Sequence, residues 1–205
     1  MGGSHPTTTE AGAPRVLVLG IGNILWADEG FGVRAVEEFH RRHEVPEGVT
    51  ILDGGTQGLY LVNILQDFDR LLVFDAIDYG LEPGTLKVVL DDEVPKFTGA
   101  KKMSLHQTGF QEVLSAADLL GYYPKRLALI GCQPLDLEDW GGPLTGPARA
   151  AIDPAIAAAI DVLADWGIVV EPRSTPLTGE TALLANDIDF AGYERRGDEA
   201  ASREG

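Results

Sequence analysis

Between Arg15 and Gly32 the chain reads Arg-Val-Leu-Val-Leu-Gly-Ile-Gly-Asn-Ile-Leu-Trp-Ala-Asp-Glu-Gly-Phe-Gly, an order that few folds accommodate. Val16 to Leu19 predict a buried strand, and Gly20 and Gly22 permit a tight turn with close backbone approach. A helical pattern follows over Gly30 to His43, with Glu29 near its start. The Glu29 carboxylate is therefore expected beside the carboxyl end of the strand, where ligands bind in open α/β sheets. A dinucleotide-binding loop is a poor fit. The third glycine of G-x-G-x-x-G would fall at Leu25, whose bulk opposes the close helix–strand packing such a loop needs.

The rest of the chain alternates in the same way. Strands are expected at Val16–Leu19, Val49–Leu52, Leu71–Phe74 and Leu127–Ile130, with helical stripes between them. Val33, Val36 and Phe39 form one stripe; Leu61, Val62 and Leu65 a second; Phe110, Val113, Leu114 and Ala117 a third. A last helix from Pro147 to Trp166 presents Ile152, Ile156, Ile160 and Leu163 and stops at Gly167. Leu86–Leu90 follows the turn at Pro83-Gly84 too closely for a helical crossover, so it is expected as an antiparallel edge strand. The predicted fold is a three-layer α/β sandwich: a twisted, mostly parallel five-stranded sheet with one antiparallel edge strand and helices on both faces. Residues 1–13 are expected to be a flexible tail, 14–171 a single domain, and 172–205 a mobile extension. Within that extension the apolar insert from Ala182 to Phe190 is suited to docking, on this chain or on a partner.

If the strands are parallel, polar groups that directly follow each apolar run share one rim. They are Asn23 after the first strand, Asp53-Gly54-Gly55 after the second, Asp75 at the end of the third and Cys132-Gln133 after Leu127–Ile130. Glu29 and His106 join them from two helix starts. Glu29, Asp75 and His106 together offer two carboxylates and one imidazole, a set that suits a borderline divalent ion such as Ni²⁺ or Zn²⁺ with positions left open. Each has a plainer alternative. Glu29 favours a helix dipole without any ligand, and His106 fits a helix cap. An unpaired Asp75 after a buried strand has less excuse. Asp53 would suit a ribose in a nucleotide enzyme, Gly54 and Gly55 admit a peptide backbone, and Asp28 is expected to cap the following helix.

Four stretches carry a family resemblance: GIGNILWADEGFGVRAVEEF, DGGTQGLYL, LLVFDAIDYGLEPGTL and KKMSLHQTGFQEVLSAADLLG. Together they resemble the [NiFe]-hydrogenase maturation endopeptidases, in particular the subgroup that processes the large subunit of uptake hydrogenases, from about Arg15 to Val170. The resemblance implies that Glu29, Asp75 and His106 bind nickel carried by the precursor of that subunit, whose C-terminal extension is then cut off. It implies a role for Asp53, Gly54, Gly55 and Asn23 beside the metal or along the substrate backbone, and no tightly bound organic cofactor. A non-catalytic nickel-sensing chaperone would need the same ligands, and a metal-independent aminohydrolase would ignore chelation.

Composition narrows the remaining classes. The formal net charge of −16 repels phosphate backbones and argues against nucleic-acid binding. With Cys132 as the only cysteine, neither an intrachain disulfide nor a thiolate-rich metal site can form, and Cys132 itself is expected as a small buried apolar group. No apolar run reaches the roughly 18 residues of a membrane span. The first residues lack the basic and apolar regions of a secretory signal, so a cytoplasmic protein is expected. His40-Arg-Arg-His43 lacks the glutamate of H-E-x-x-H and is expected on a solvated face, and Ser104 lacks a G-x-S-x-G elbow.

Overall fold

The computed structural model describes residues 13–94 and 105–178, together with 183 and 190; over 105–109 only the backbone is described. The strands are β1 (Val16–Ile21), β2 (His43–Glu44), β3 (Val49–Gly55), β4 (Arg70–Ala76), β5 (Leu86–Leu90), β6 (Arg126–Cys132) and β7 (Glu171–Pro172). The helices are α1 (Phe31–Arg42), α2 (Leu61–Leu65), α3 (Leu105–Leu119) and α4 (Gly146–Asp165). Five strands form the main sheet in the order β3-β1-β4-β6-β5. β3, β1, β4 and β6 are parallel, and β5 runs antiparallel to β6, as the short turn before it requires.

Continuous apolar runs make these strands because both sheet faces are covered. Alternate residues serve opposite layers. Val16, Val18, Leu72, Phe74, Ala128 and Ile130 pack under α1 and α4. Leu17, Leu19, Leu71, Val73, Leu127 and Leu129 pack under α2 and α3. Burying each of the larger side chains contributes about 1.5–3 kcal/mol, enough to fix register, since a slip by one residue would exchange the two cores.

The close approach of α1 to the sheet is made by glycines other than a dinucleotide fingerprint would use. Leu25 is exposed, and the contact falls instead at Gly20 and Gly32. A Cβ on Gly32 would overlap the backbone carbonyl oxygens of both Ile21 and Phe74. Gly32→Ala should therefore destabilise the protein by about 3 kcal/mol, measured by urea unfolding, because neither obstacle is a movable side chain.

One further expectation changes here. The end of α1 is not a bare solvated face. His43 stacks on Phe39 with ring centroids 5.4 Å apart, β2 pairs with β7, and the Arg173 guanidinium donates to the His40 carbonyl at 3.2 Å. The described residues of the 172–205 extension lie across this helix. The Arg173 and Leu177 N–H groups donate to the Arg42 and Arg41 carbonyls, and Leu183 and Phe190 pack against the core under α1 and α4. Of the two hosts open to the apolar insert, these two residues take their own chain.

Candidate active site at the carboxyl rim

Asp75 is the sixth residue of β4, and its side chain falls by alternation on the face of Leu71 and Val73, the layer that α3 covers. It is 4% exposed. Burial pushes its carboxyl well above the usual carboxylate range; the Ala76 backbone N–H pulls back, and the negative charge of Glu29 pushes it up again. Glu29 sits in the 3-10 turn Ala27–Gly30 that precedes α1, with its N–H on the Trp26 carbonyl at 2.8 Å and its carbonyl accepting from Asn23 at 3.1 Å. The loop that tightens after Gly22 thus delivers the second acid to the first.

The third expected ligand comes from topology. α3 ends just before β6 begins at the amino edge of the sheet, so the helix starts at the carboxyl rim, and His106 is its second residue. The His106 side chain lies outside the described residues, as does Ser104. Among the described residues no three His, Cys, Asp or Glu side chains gather to hold a metal ion. Buried Asp75, its carboxyl raised by burial and by the charge of half-buried Glu29, still forms with Glu29 a fitting donor set for a cation, whose charge relieves the repulsion.

The DGGT loop sits differently from what its position in the sequence suggests. Asp53 pairs with Gly20 and by alternation faces α1, the side of the sheet opposite Asp75. Its Oδ1 accepts the Gly55 N–H at 2.8 Å. Burial raises the Asp53 carboxyl, while Gly55 and the Arg34 guanidinium pull it down. The space beside Gly54 is taken by Leu19 and the Gly20 carbonyl, so its missing side chain serves strand packing. Gly55 has φ +44° and stays more open, and Asn23 Oδ1 caps the loop by accepting the Leu25 N–H at 3.1 Å. The neighbouring Arg34, 2% exposed on α1, pairs with Glu37 at 3.0 Å. Burial raises the Glu37 carboxyl against the pull of the Phe190 N–H and Arg34.

Sequence reasoning missed the role of Asp28. Instead of capping α1, the fully buried carboxylate holds the segment that follows β6. Oδ2 accepts from the Leu135 N–H at 2.8 Å, the Asp136 N–H at 3.2 Å and the Thr145 hydroxyl at 2.8 Å, while Oδ1 accepts the Thr145 N–H at 2.8 Å. Trp26 meets Trp140 of the same segment edge to face at 4.9 Å, so its first role is packing. Gln133 completes the clamp, accepting the Tyr79 and Leu81 N–H groups at 2.7 and 3.1 Å and donating to Asp78 at 3.0 Å. Beside it lies a cleft of about 450 Å³ lined by Asp78, Gln133, Asp136 and Glu138 among others. Cys132 is fully buried, its thiol pushed up to about 12 chiefly by burial, which makes it an inert core group.

Residues 33–162 match the family model described as hydrogenase maturation protease. The chain belongs to that family. It is 76% identical over 182 residues to the hydrogenase expression/formation protein HupD of Bradyrhizobium diazoefficiens, covering 89% of this chain and 95% of the relative. The hydrogenase 2 maturation protease of Escherichia coli K12 is 44% identical over 161 residues, covering 78% of this chain and 96% of that one. The solved structure of the hydrogenase maturating endopeptidase HybD from E. coli superposes with a TM-score of 0.73 at 42% identity, over 78% of this chain and 98% of its own. This maturation protease is accordingly a peptide hydrolase, and its α/β fold is the one its relatives share. No helix among its described residues is long and apolar enough to cross a membrane.

Proposed function

We propose that this maturation protease removes the C-terminal extension from the nickel-loaded large-subunit precursor of a [NiFe] hydrogenase in one peptide cleavage. Glu29, Asp75 and His106 grip the nickel, which arrives with the substrate and serves as both recognition signal and anchor. The observation that carries this reading is the Glu29–Asp75 pair: two acids set at the carboxyl rim, where burial and the charge of Glu29 disfavour ionisation of Asp75 until a cation comes between them. Anchoring the metal fixes the nearby peptide, and holding a reacting bond in place supplies much of a barrier reduction by itself. The surplus of negative charge draws basic residues near the precursor's tail and disfavours nucleic acid. The cleavage takes place in the cytoplasm.

The test is direct. Nickel-loaded precursor incubated with the protein should lose the mass of its C-terminal extension, and nickel-free precursor should remain intact. Retention of full mass in both would leave a chaperone that reads nickel without cutting; cleavage of both would remove the metal from recognition.

A further inference from the structure

We propose that Tyr79 is a positioning residue of this endopeptidase, its buried hydroxyl donating a hydrogen bond to the Asp75 carboxylate once that carboxylate engages the substrate's metal. The inference rests on the metal-gripping role proposed for Asp75.

The placement follows from register. Asp75 on β4 stands directly beside Gly131 on β6, and in a parallel pair such neighbours project to the same face. A Cβ on Gly131 would overlap the Tyr79 hydroxyl and lie 3.0 Å from its ring carbon Cζ. The hydroxyl thus fills the side-chain space of the residue next to Asp75, about 5 Å away, the spacing of adjacent strands. Tyr79 packs with the same core layer as Leu71 and Val73, which confirms the face.

The phenol is held there from several sides. Gln133 accepts its backbone N–H at 2.7 Å, and the Lys87 ammonium lies 5.1 Å from the ring centroid. Yet its oxygen is buried without a hydrogen-bond partner among the described residues. Buried polar groups are almost always paired, so one that is not calls for a partner that arrives later. Burial, then the charges of Asp75 and Cys132, keep the phenol protonated and hence a donor. A metal-bound carboxylate uses one oxygen on the ion and needs a donor on the other, and such supporting bonds fix the ligand's orientation. Gly131 fits the same scheme, since any side chain there would push the phenol off Asp75.

Tyr79→Phe keeps the ring and deletes the donor. The free variant should melt at the wild-type temperature or higher, because no bond is lost in the resting protein. The KM for nickel-loaded precursor should rise by about 10-fold, as for loss of other groups that orient a metal ligand. In an Asp75→Asn background, where the lost ligand has already lowered precursor affinity, adding Tyr79→Phe should change that affinity no further. A lower melting temperature would show a hydroxyl already bonded in the resting fold and overturn the inference. So would an unchanged KM, or an equal loss of affinity in the Asp75→Asn background. If the wild-type protein itself bound nickel-loaded and nickel-free precursor alike, the metal-gripping role of Asp75 would fall first and this inference with it.

Discussion

Asp75→Asn is expected to abolish precursor processing while leaving a free protein at least as stable as wild type at neutral pH. The two effects share one cause. Asp75 is buried beside Glu29, so its carboxyl binds a proton more tightly in the folded chain than in the unfolded one, whose ordinary value is 3.8. A group raised in this way opposes folding as it ionises: stability is lost as pH rises above 3.8 toward the folded value. Asparagine has nearly the same size and cannot ionise, so the melting temperature of the variant should gain on wild type as pH rises from acid to neutral. Processing should fall by about 100-fold or more, the upper figure for losing groups that merely orient a ligand, since here a charged ligand itself is removed. His106→Ala should show the same loss of processing. An Asp75→Asn protein that cuts at the wild-type rate would refute the site, and one that unfolds at neutral pH would refute the account of its burial.

What the sequence showed of this molecule depended on how far apart the interacting residues lie. Strands buried on both faces announce themselves as unbroken apolar runs, so β1, β3, β4 and β6 and the turn-linked edge strand β5 were legible. Glu29 and Asp75 were legible for the same reason, because a carboxylate at the end of a buried strand, or in the loop that follows one, stands out against its neighbours. Asp53 shows the limit. Its position at a strand end put it at the right rim, but the face it serves follows from which layer Val49 and Ile51 bury against, and pairing with β1 sets that. Arg34, Glu37 and Glu38 look like the solvent side of an amphipathic helix, yet they are buried, with Phe190 and the chain after β7 packed on that side. The glycines that admit α1 to the sheet were visible as residues, whereas the carbonyl oxygens that demand them belong to two different strands.

Asp28→Ala is expected to be the most destabilising substitution at the rim, by about 3–5 kcal/mol in urea unfolding. One carboxylate satisfies three backbone N–H groups and a hydroxyl, those of Leu135, Asp136 and Thr145, all more than 100 residues away in sequence. Alanine would leave these donors facing a void, and a buried donor without an acceptor forfeits its bonds to water with nothing in return. Asp28→Asn should be milder, at about 1–3 kcal/mol, because its one oxygen can still accept while its amide nitrogen meets a donor. The damage should be local before it is global. Thr145 precedes the first turn of α4, and Trp140 of the held segment packs on Trp26, so tryptophan fluorescence should change at lower urea than the helical signal. Processing should fall along with that early change, since Leu135 and Asp136 line the cleft next to the Gln133–Tyr79 clamp. If both signals moved together at an unchanged midpoint, the carboxylate would be dispensable and the segment would be held by its tryptophan packing alone.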